Sequence, residues 1–188
     1  MKNHIPNFIT LINLFLGCVA IITALNFDFN LTAKLLFLAA FADLLDGAAA
    51  RFLKAQSNIG KDLDSLADVI SFGFAPATIL YSLWIKNSST DFFYPIALFS
   101  FLITLGAALR LAIFNNTTQN KKAFKGLPTP AATLFVVGIM LLFKEKLPGS
   151  IPLWIFPTST VLLVFLMLSP IPMFSFKMEN FQWKGNEI

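Results

Sequence analysis

The sequence predicts an all-α, polytopic membrane protein: six transmembrane helices with a polar active-site cavity facing the cytoplasm. Three observations predict the helical membrane fold. The chain is 56% hydrophobic and only 13% charged, and its mean hydropathy is +0.73, beyond the apolar share of an ordinary soluble domain. It carries 22 phenylalanines in 188 residues, more rings than a soluble domain of this length has room to bury. Its apolar runs are long enough to be membrane helices and are separated by short polar turns. No repeat or low-complexity linker divides the chain, so residues 1–188 read as one domain.

The first span covers residues 8–25, after a short polar lead in which Pro6 favours a helix start. That lead lacks the shape of a cleaved signal, so the run is expected to stay as a membrane helix. Asn7, Thr10 and Asn13 recur at a spacing of three along it and share one face. They either hydrogen-bond neighbouring helices or line a pocket. Residues 26–30 turn the chain, and the second helix runs over 31–54, apolar until Asp43 and polar after Arg51. The third covers 60–85, with Pro76 able to kink it where neighbours satisfy the freed carbonyl. The fourth, 92–114, places Arg110 in apolar sequence, where it snorkels or pairs with an anion. A polar connection follows, carrying Lys121, Lys122 and Lys125. The fifth, 128–142, starts at Pro128 and Pro130 with Thr129 available to cap it or meet a ligand. The sixth covers 153–168 and leads into an interfacial tail.

Six spans bring both termini to one side. Nine basic residues fall on that side (Lys2, Arg51, Lys54, Lys61, Lys121, Lys122, Lys125, Lys177 and Lys184) and four on the other (Lys34, Lys86, Lys144 and Lys146). The bias places the termini and the acidic stretch below at the cytoplasmic face of a bacterial-type inner membrane. Although the net charge is +4, the basic residues are scattered among hydrophobic segments and form no aromatic-basic platform. Membrane lipids with anionic headgroups, and no nucleic acid, are the expected partners. Cys18 is the single cysteine, which rules out an intrachain disulfide and reads as a small core residue. His4 has no companions to complete a ligand set.

The chemistry is concentrated in residues 43–68, DLLDGAAARFLKAQSNIGKDLDSLAD. On a helix, Asp43, Asp46, Gly47 and Ala50 fall on one face, and Gly60, Asp64 and Asp68 form a second stripe. If the two helices are antiparallel neighbours, four carboxylates converge. Such a group needs a cation, and oxygen-only ligands select hard ions such as Mg²⁺, Mn²⁺ or Ca²⁺. Two metal ions about 3.5–4 Å apart suit displacement at phosphorus. Gly47 and Ala50 leave a hollow for substrate, Gly60 permits close approach, and Arg51 is placed to meet phosphates.

Written as D-x2-D-G-x2-A-R-x8-G-x3-D-x3-D, the stretch fills all eight fixed positions of a pattern over 26 residues. It resembles the signature of the CDP-alcohol phosphotransferases, integral membrane enzymes that move a phosphatidyl or related group from a CDP-linked lipid to an alcohol. Further stretches resemble the branch that uses CDP-diacylglycerol and L-serine: IPNFITLINLFLG, DSLADVISFGFAPA, RLAIFN, FKGLPTPAA and SPIPMFSFK. One departure is Ile113, where that branch usually carries a second arginine.

The resemblance implies that Asp43, Asp46, Asp64 and Asp68 bind two divalent cations, Mg²⁺ or Mn²⁺, and that Asp68 also acts as general base. It implies nucleotide and phosphate contacts from Gly47, Ala50, Arg51, Gly60 and Asn13, and a homodimer. For the acceptor, Arg110, Asn115, Lys121 and Thr129 are the candidates; a serine carboxylate needs a cation, as would glycerol 3-phosphate or an inositol phosphate. An ether-linked donor remains an alternative. A small cation transporter is a different class of reading, since intramembrane carboxylates also mark ion pathways. Against it, the acids lie at one end of their spans and no internal repeat is visible.

Overall fold

The computed structural model describes residues 4–55, 57–88, 94–117, 126–146, 150–152 and 154–171. Among them lie six helices and no strand, as the apolar runs predict. They are α1 (His4–Leu25), α2 (Phe29–Phe52), α3 (Asn58–Asn87), α4 (Tyr94–Ala97, a 3₁₀ turn Leu98–Phe101, and Leu102–Thr117), α5 (Thr129–Phe143) and α6 (Ile155–Leu168).

The bundle packs small and polar residues inward and large apolar ones outward. The buried face of α1 is Pro6, Thr10, Asn13, Gly17, Ala20, Thr23 and Ala24, while Phe8 and Phe15 are 65% and 67% exposed. In lipid an exposed phenylalanine costs nothing, and helices associate where small side chains let backbones approach. Cys18 lies on the exposed side of α1. The expectation of a core cysteine is therefore corrected: an apolar side chain in this setting has no need of the core.

α1 and α2 form a tight hairpin. Phe27 takes the left-handed conformation (φ 60°), Asp28 N–H donates to Thr23 O at 2.9 Å, and the hydroxyls of Thr23 and Thr32 lie 2.9 Å apart. The Asp28 side chain accepts from Leu31 N–H at 3.1 Å. This cap starts α2 two residues earlier than the sequence suggests. After α2, Lys54 is again left-handed (φ 52°), and Ser57 caps α3 by accepting from Gly60 N–H at 3.0 Å.

α3 is the central helix. Just before Pro76, residues Val69–Phe74 form a π-helical turn in which Ala75 N–H reaches back to Ile70 O. Neighbours crowd that turn closely. A Cβ on Gly17 of α1 would run into Ser71, 2.9 Å from its Cα, and one on Gly73 would lie 2.9 Å from Ala107 Cβ of α4.

Two polar seams mark the ends of the bundle. At one end Gly126 N–H donates to Ile171 O (3.0 Å) and Leu127 N–H to Leu166 O (2.9 Å), stitching the entry of α5 to the exit of α6. At the other, Lys86 Nζ donates to Lys144 O (2.6 Å), Lys144 Nζ to Asn30 Oδ1 (2.5 Å) and Asn87 Nδ2 to Ile151 O (2.8 Å). Among the described residues, three helices are long and apolar enough to cross a membrane: His4–Leu25, Asn58–Asn87 and Leu98–Asn116. α5 and α6 are equally apolar but have 15 and 14 residues. At ~1.5 Å per residue each falls short of a ~30 Å hydrocarbon core. α2 is long enough at 24 residues but carries Lys34, Asp43, Asp46 and Arg51.

Gly17→Val should destabilise the protein by about 2 kcal/mol, because α1 must move off the π turn. Gly138→Val, where an added Cβ meets nothing within 4 Å, should change stability by less than about 0.5 kcal/mol. Thermal unfolding in detergent compares them, and equal midpoints would contradict this packing.

Candidate active site

α2 and α3 both pack against α1 and are joined by the short turn that Ser57 caps, with the aspartates in the last three turns of α2 and the first three of α3. This brings Asp43 together with Asp64 and Asp68: one carboxylate oxygen of each lies within 4.8 Å of the others. For charged carboxylates at that separation, mutual repulsion is about 3 kcal/mol per pair at an effective dielectric of about 20. The oxygens are hard donors with the spacing of a cation's ligand shell, so the residues fit a divalent metal. Asp46 stands beside this group, its Oδ2 accepting from Thr10 Oγ1 at 2.5 Å. Three of the four predicted aspartates thus share one focus, and the fourth is tied to α1.

A cavity of about 390 Å³ opens against the cluster. Thr10, Asp46, Gly47, Ala50, Gly60 and Asp64 line it. An added Cβ on Gly47 would meet no protein atom within 4 Å, so that glycine keeps space open to the cavity. Gly60 differs: its Cβ would come 3.0 Å from Asn7 Oδ1 and from Ser57 Oγ, so it also lets α1 approach α3. Arg51 is exposed and is not in the lining; the cation in the wall is Lys61, whose Nζ donates to Asn115 O at 2.9 Å.

Asn13 is fully buried. Its carbonyl accepts from Ser71 Oγ at 3.0 Å, but both atoms of its side-chain amide lack a protein partner. Of the two readings for the α1 stripe, side-chain bonding between helices is therefore not realised at Asn13, while Thr10 and Asn7 do line the cavity.

Five more buried polar atoms lack partners on the helices described here: Asp68 Oδ1 on α3, Arg110 Nε on α4 and Thr129 Oγ1 on α5, and, toward the far end of α3, Ser82 Oγ and Trp84 Nε1. Asp68 and Arg110 are close enough for their charges to act on each other. An unpaired buried polar atom costs about 1–3 kcal/mol, and such a set points to a ligand. Asn115 ties α4 to α3 through Nδ2 donation to Ser65 Oγ at 2.7 Å. Ile113 is 52% exposed, so the departure from the serine-using pattern falls on the outer face of α4. Lys121, with Lys122 and Lys125, lies outside the described residues.

Sequence reasoning named Asn7 and Thr10 only as members of a stripe and counted Lys61 only among the basic residues of one side. The threonine had a signal, since its spacing from Asn13 puts it on the buried face. Lys61 gave none beyond its place next to Gly60.

The family model for CDP-alcohol phosphatidyltransferase matches residues 3–170. The chain is 38% identical over 168 residues to the CDP-diacylglycerol–serine O-phosphatidyltransferase of Methanocaldococcus jannaschii, covering 89% of this chain and 72% of that protein. It is 34% identical over 182 residues to the Saccharomyces cerevisiae protein of the same name, covering 86% of this chain and 63% of that one. It is 37% identical over 139 residues to the archaetidylserine synthase of Methanothermobacter thermautotrophicus, covering 73% and 58%. The chain thus spans less than two thirds of the yeast and Methanothermobacter proteins.

With chelator present, Asp64→Asn should unfold at a higher temperature than the parent, because one charge leaves the repulsive cluster. Added Mn²⁺ should reverse that order by stabilising the parent more. Thermal scans with and without metal check both signs; a parent insensitive to Mn²⁺ would remove the cluster as a cation site.

Proposed function

The chain belongs to the CDP-alcohol phosphatidyltransferase family, and from that premise we propose that it transfers the phosphatidyl group of CDP-diacylglycerol to the hydroxyl of L-serine, giving phosphatidylserine and CMP. The observation that carries this reading is the buried Asp68, with one oxygen unpartnered, within the three-carboxylate cluster and within electrostatic reach of Arg110. The similarity to serine-using proteins over most of the chain supports the acceptor.

Asp43, Asp64 and Asp68, with Asp46 beside them, would hold two divalent cations, Mg²⁺ or Mn²⁺, which when bound neutralise the diphosphate and the charge developing on the leaving CMP. The cavity walled by Thr10, Gly47, Ala50 and Gly60 receives the cytidine diphosphate end of the donor. Thr10 holds Asp46 in place there. Arg110 meets the serine carboxylate and Thr129 its remaining polar atoms, filling the unpartnered positions. Asp68 takes the hydroxyl proton as the serine oxygen attacks the β-phosphorus. The bond from that phosphorus to the CMP oxygen breaks, and the lipid leaves with serine attached. Arg51 is a candidate for a phosphate contact made from outside the cavity wall, and Lys121 for an acceptor contact.

The basic bias of the loops supports a cytoplasmic site in a bacterial-type inner membrane, and the family resemblance alone supports a homodimer. The similarity to an archaetidylserine synthase favours a second reading of the donor, with an archaetidyl group in place of the diacylglycerol-derived one.

Purified protein with CDP-diacylglycerol and Mn²⁺ should release CMP on addition of L-serine, and not on addition of glycerol 3-phosphate or myo-inositol. Asp68→Asn should lower that rate by at least about 10³-fold, the scale of a lost general base, in protein that remains folded. Release driven by another alcohol would overturn the serine assignment and leave the phosphoryl chemistry standing.

A further inference from the structure

Pro76 removes a backbone N–H from the middle of α3, so Phe72 O, four residues back, loses its α-helical donor. In a bundle with no water at hand, an orphaned carbonyl must find another partner. The hydroxyl of Thr133 on α5 supplies it, 3.1 Å from Phe72 O. Thr133 is buried, and its Oγ1 is also 3.0 Å from Thr129 O, so the single proton is shared between the π turn and the first turn of α5. The adjacent carbonyls are held in the same manner: Thr104 Oγ1 of α4 donates to Gly73 O at 3.2 Å and Thr78 Oγ1 to Phe74 O at 2.9 Å. On the opposite side, Ser71 Oγ donates to Asn13 O of α1 at 3.0 Å. The π turn therefore has hydroxyl ties to three neighbouring helices, and it begins at the residue after Asp68.

We propose that Thr133 is a positioning residue for Asp68: by occupying the carbonyl that Pro76 leaves open, it keeps Val69–Phe74 in the π turn and fixes how the Asp64–Asp68 stripe faces Asp43. A π turn holds one residue more than an α turn, so its loss rotates one half of the helix by about 100° relative to the other. The half that follows is anchored in the core by Ala75, Ala77, Ile79, Leu80 and Leu83. The half that moves is the one bearing the aspartates. The inference rests on the reading of Asp68 as a cation-holding base, and it adds a residue from a different helix that sets its aim.

The test measures Mn²⁺ affinity without substrate, by electron paramagnetic resonance of free Mn²⁺, alongside CMP-release kinetics. Thr133→Val keeps the shape and removes the donor. It should weaken Mn²⁺ binding and lower kcat by about tenfold each, the scale of one hydrogen bond to a buried carbonyl, with KM for CDP-diacylglycerol within about twofold. Thr133→Ser restores the donor and should rescue both. In Pro76→Ala/Thr133→Val the backbone N–H regained at position 76 reaches Phe72 O, so Mn²⁺ affinity should recover even where Thr133→Val alone fails to fold. Wild-type Mn²⁺ affinity in Thr133→Val, a Thr133→Ser variant as defective as Thr133→Val, or a double variant that neither folds nor recovers would each overturn the proposal. Wild-type protein that binds Mn²⁺ but releases no CMP would instead count against the activity, while the affinity series still decides the role of Thr133.

Discussion

Asp43, Asp64 and Asp68 offer oxygens within 4.8 Å of one another, and two helices hold that arrangement only if packing elsewhere outweighs the repulsion. The load falls on α1. It touches α2 through Thr10 and Asp46, approaches α3 where Gly60 has no side chain to obstruct Asn7, and meets the π turn where Gly17 lies against Ser71. Each contact needs a small or hydroxyl-bearing residue at a fixed register, which is why the inner face of α1 has so little apolar bulk.

The same constraint shapes the rest of the bundle. A soluble helix buries its large residues and is driven together by water; these helices expose Phe8, Phe15, Phe41 and Leu44 and gain nothing from hiding them in lipid. Cohesion comes instead from close backbone approach and from hydroxyls that find carbonyls one helix away. Thr104 and Thr133 do this at α3, and at the α1–α2 hairpin the hydroxyls of Thr23 and Thr32 meet each other. Polar atoms that remain unpaired inside such a bundle stand out: besides those of Ser82 and Trp84 toward the far end of α3, they belong to Asn13, Asp68, Arg110 and Thr129.

Six helices were legible in the sequence because long apolar runs alternate with polar turns, a signal that does not depend on tertiary context. The facing of the aspartates was legible too, since spacings of three and four fix a helix face. Arg51 was harder: one residue beyond Ala50, it is turned about 100° from that position, and the structure leaves it exposed rather than in the cavity wall. Cys18 was misplaced by a rule for water-soluble cores. The π turn could not be read at all. Pro76 marks a missing donor, but the hydroxyl that replaces it comes from Thr133, 61 residues beyond the carbonyl it meets, and no local pattern links the two.

The position of the site along its helices follows from the two kinds of molecule that the proposed reaction must bring together. A CDP-linked lipid has a charged diphosphate and apolar chains, and neither end tolerates the other's solvent. On α2 the turn that carries Asp43 and Asp46 inward carries Leu44 and Leu45 outward, both exposed. One helical turn thus offers carboxylates to the headgroup on one side and an apolar surface on the other. The cavity opens among residues 6–10, 46–64 and the capped turn at Ser57, where α1 and α3 begin and α2 ends. In the proposed orientation, a soluble acceptor reaching that end has no hydrocarbon to cross. Arg110 and Thr129, the groups proposed to receive it, lie near the end of α4 and at the start of α5. Had the carboxylates been placed at mid-helix, they would have met neither the headgroup nor the water-borne partner.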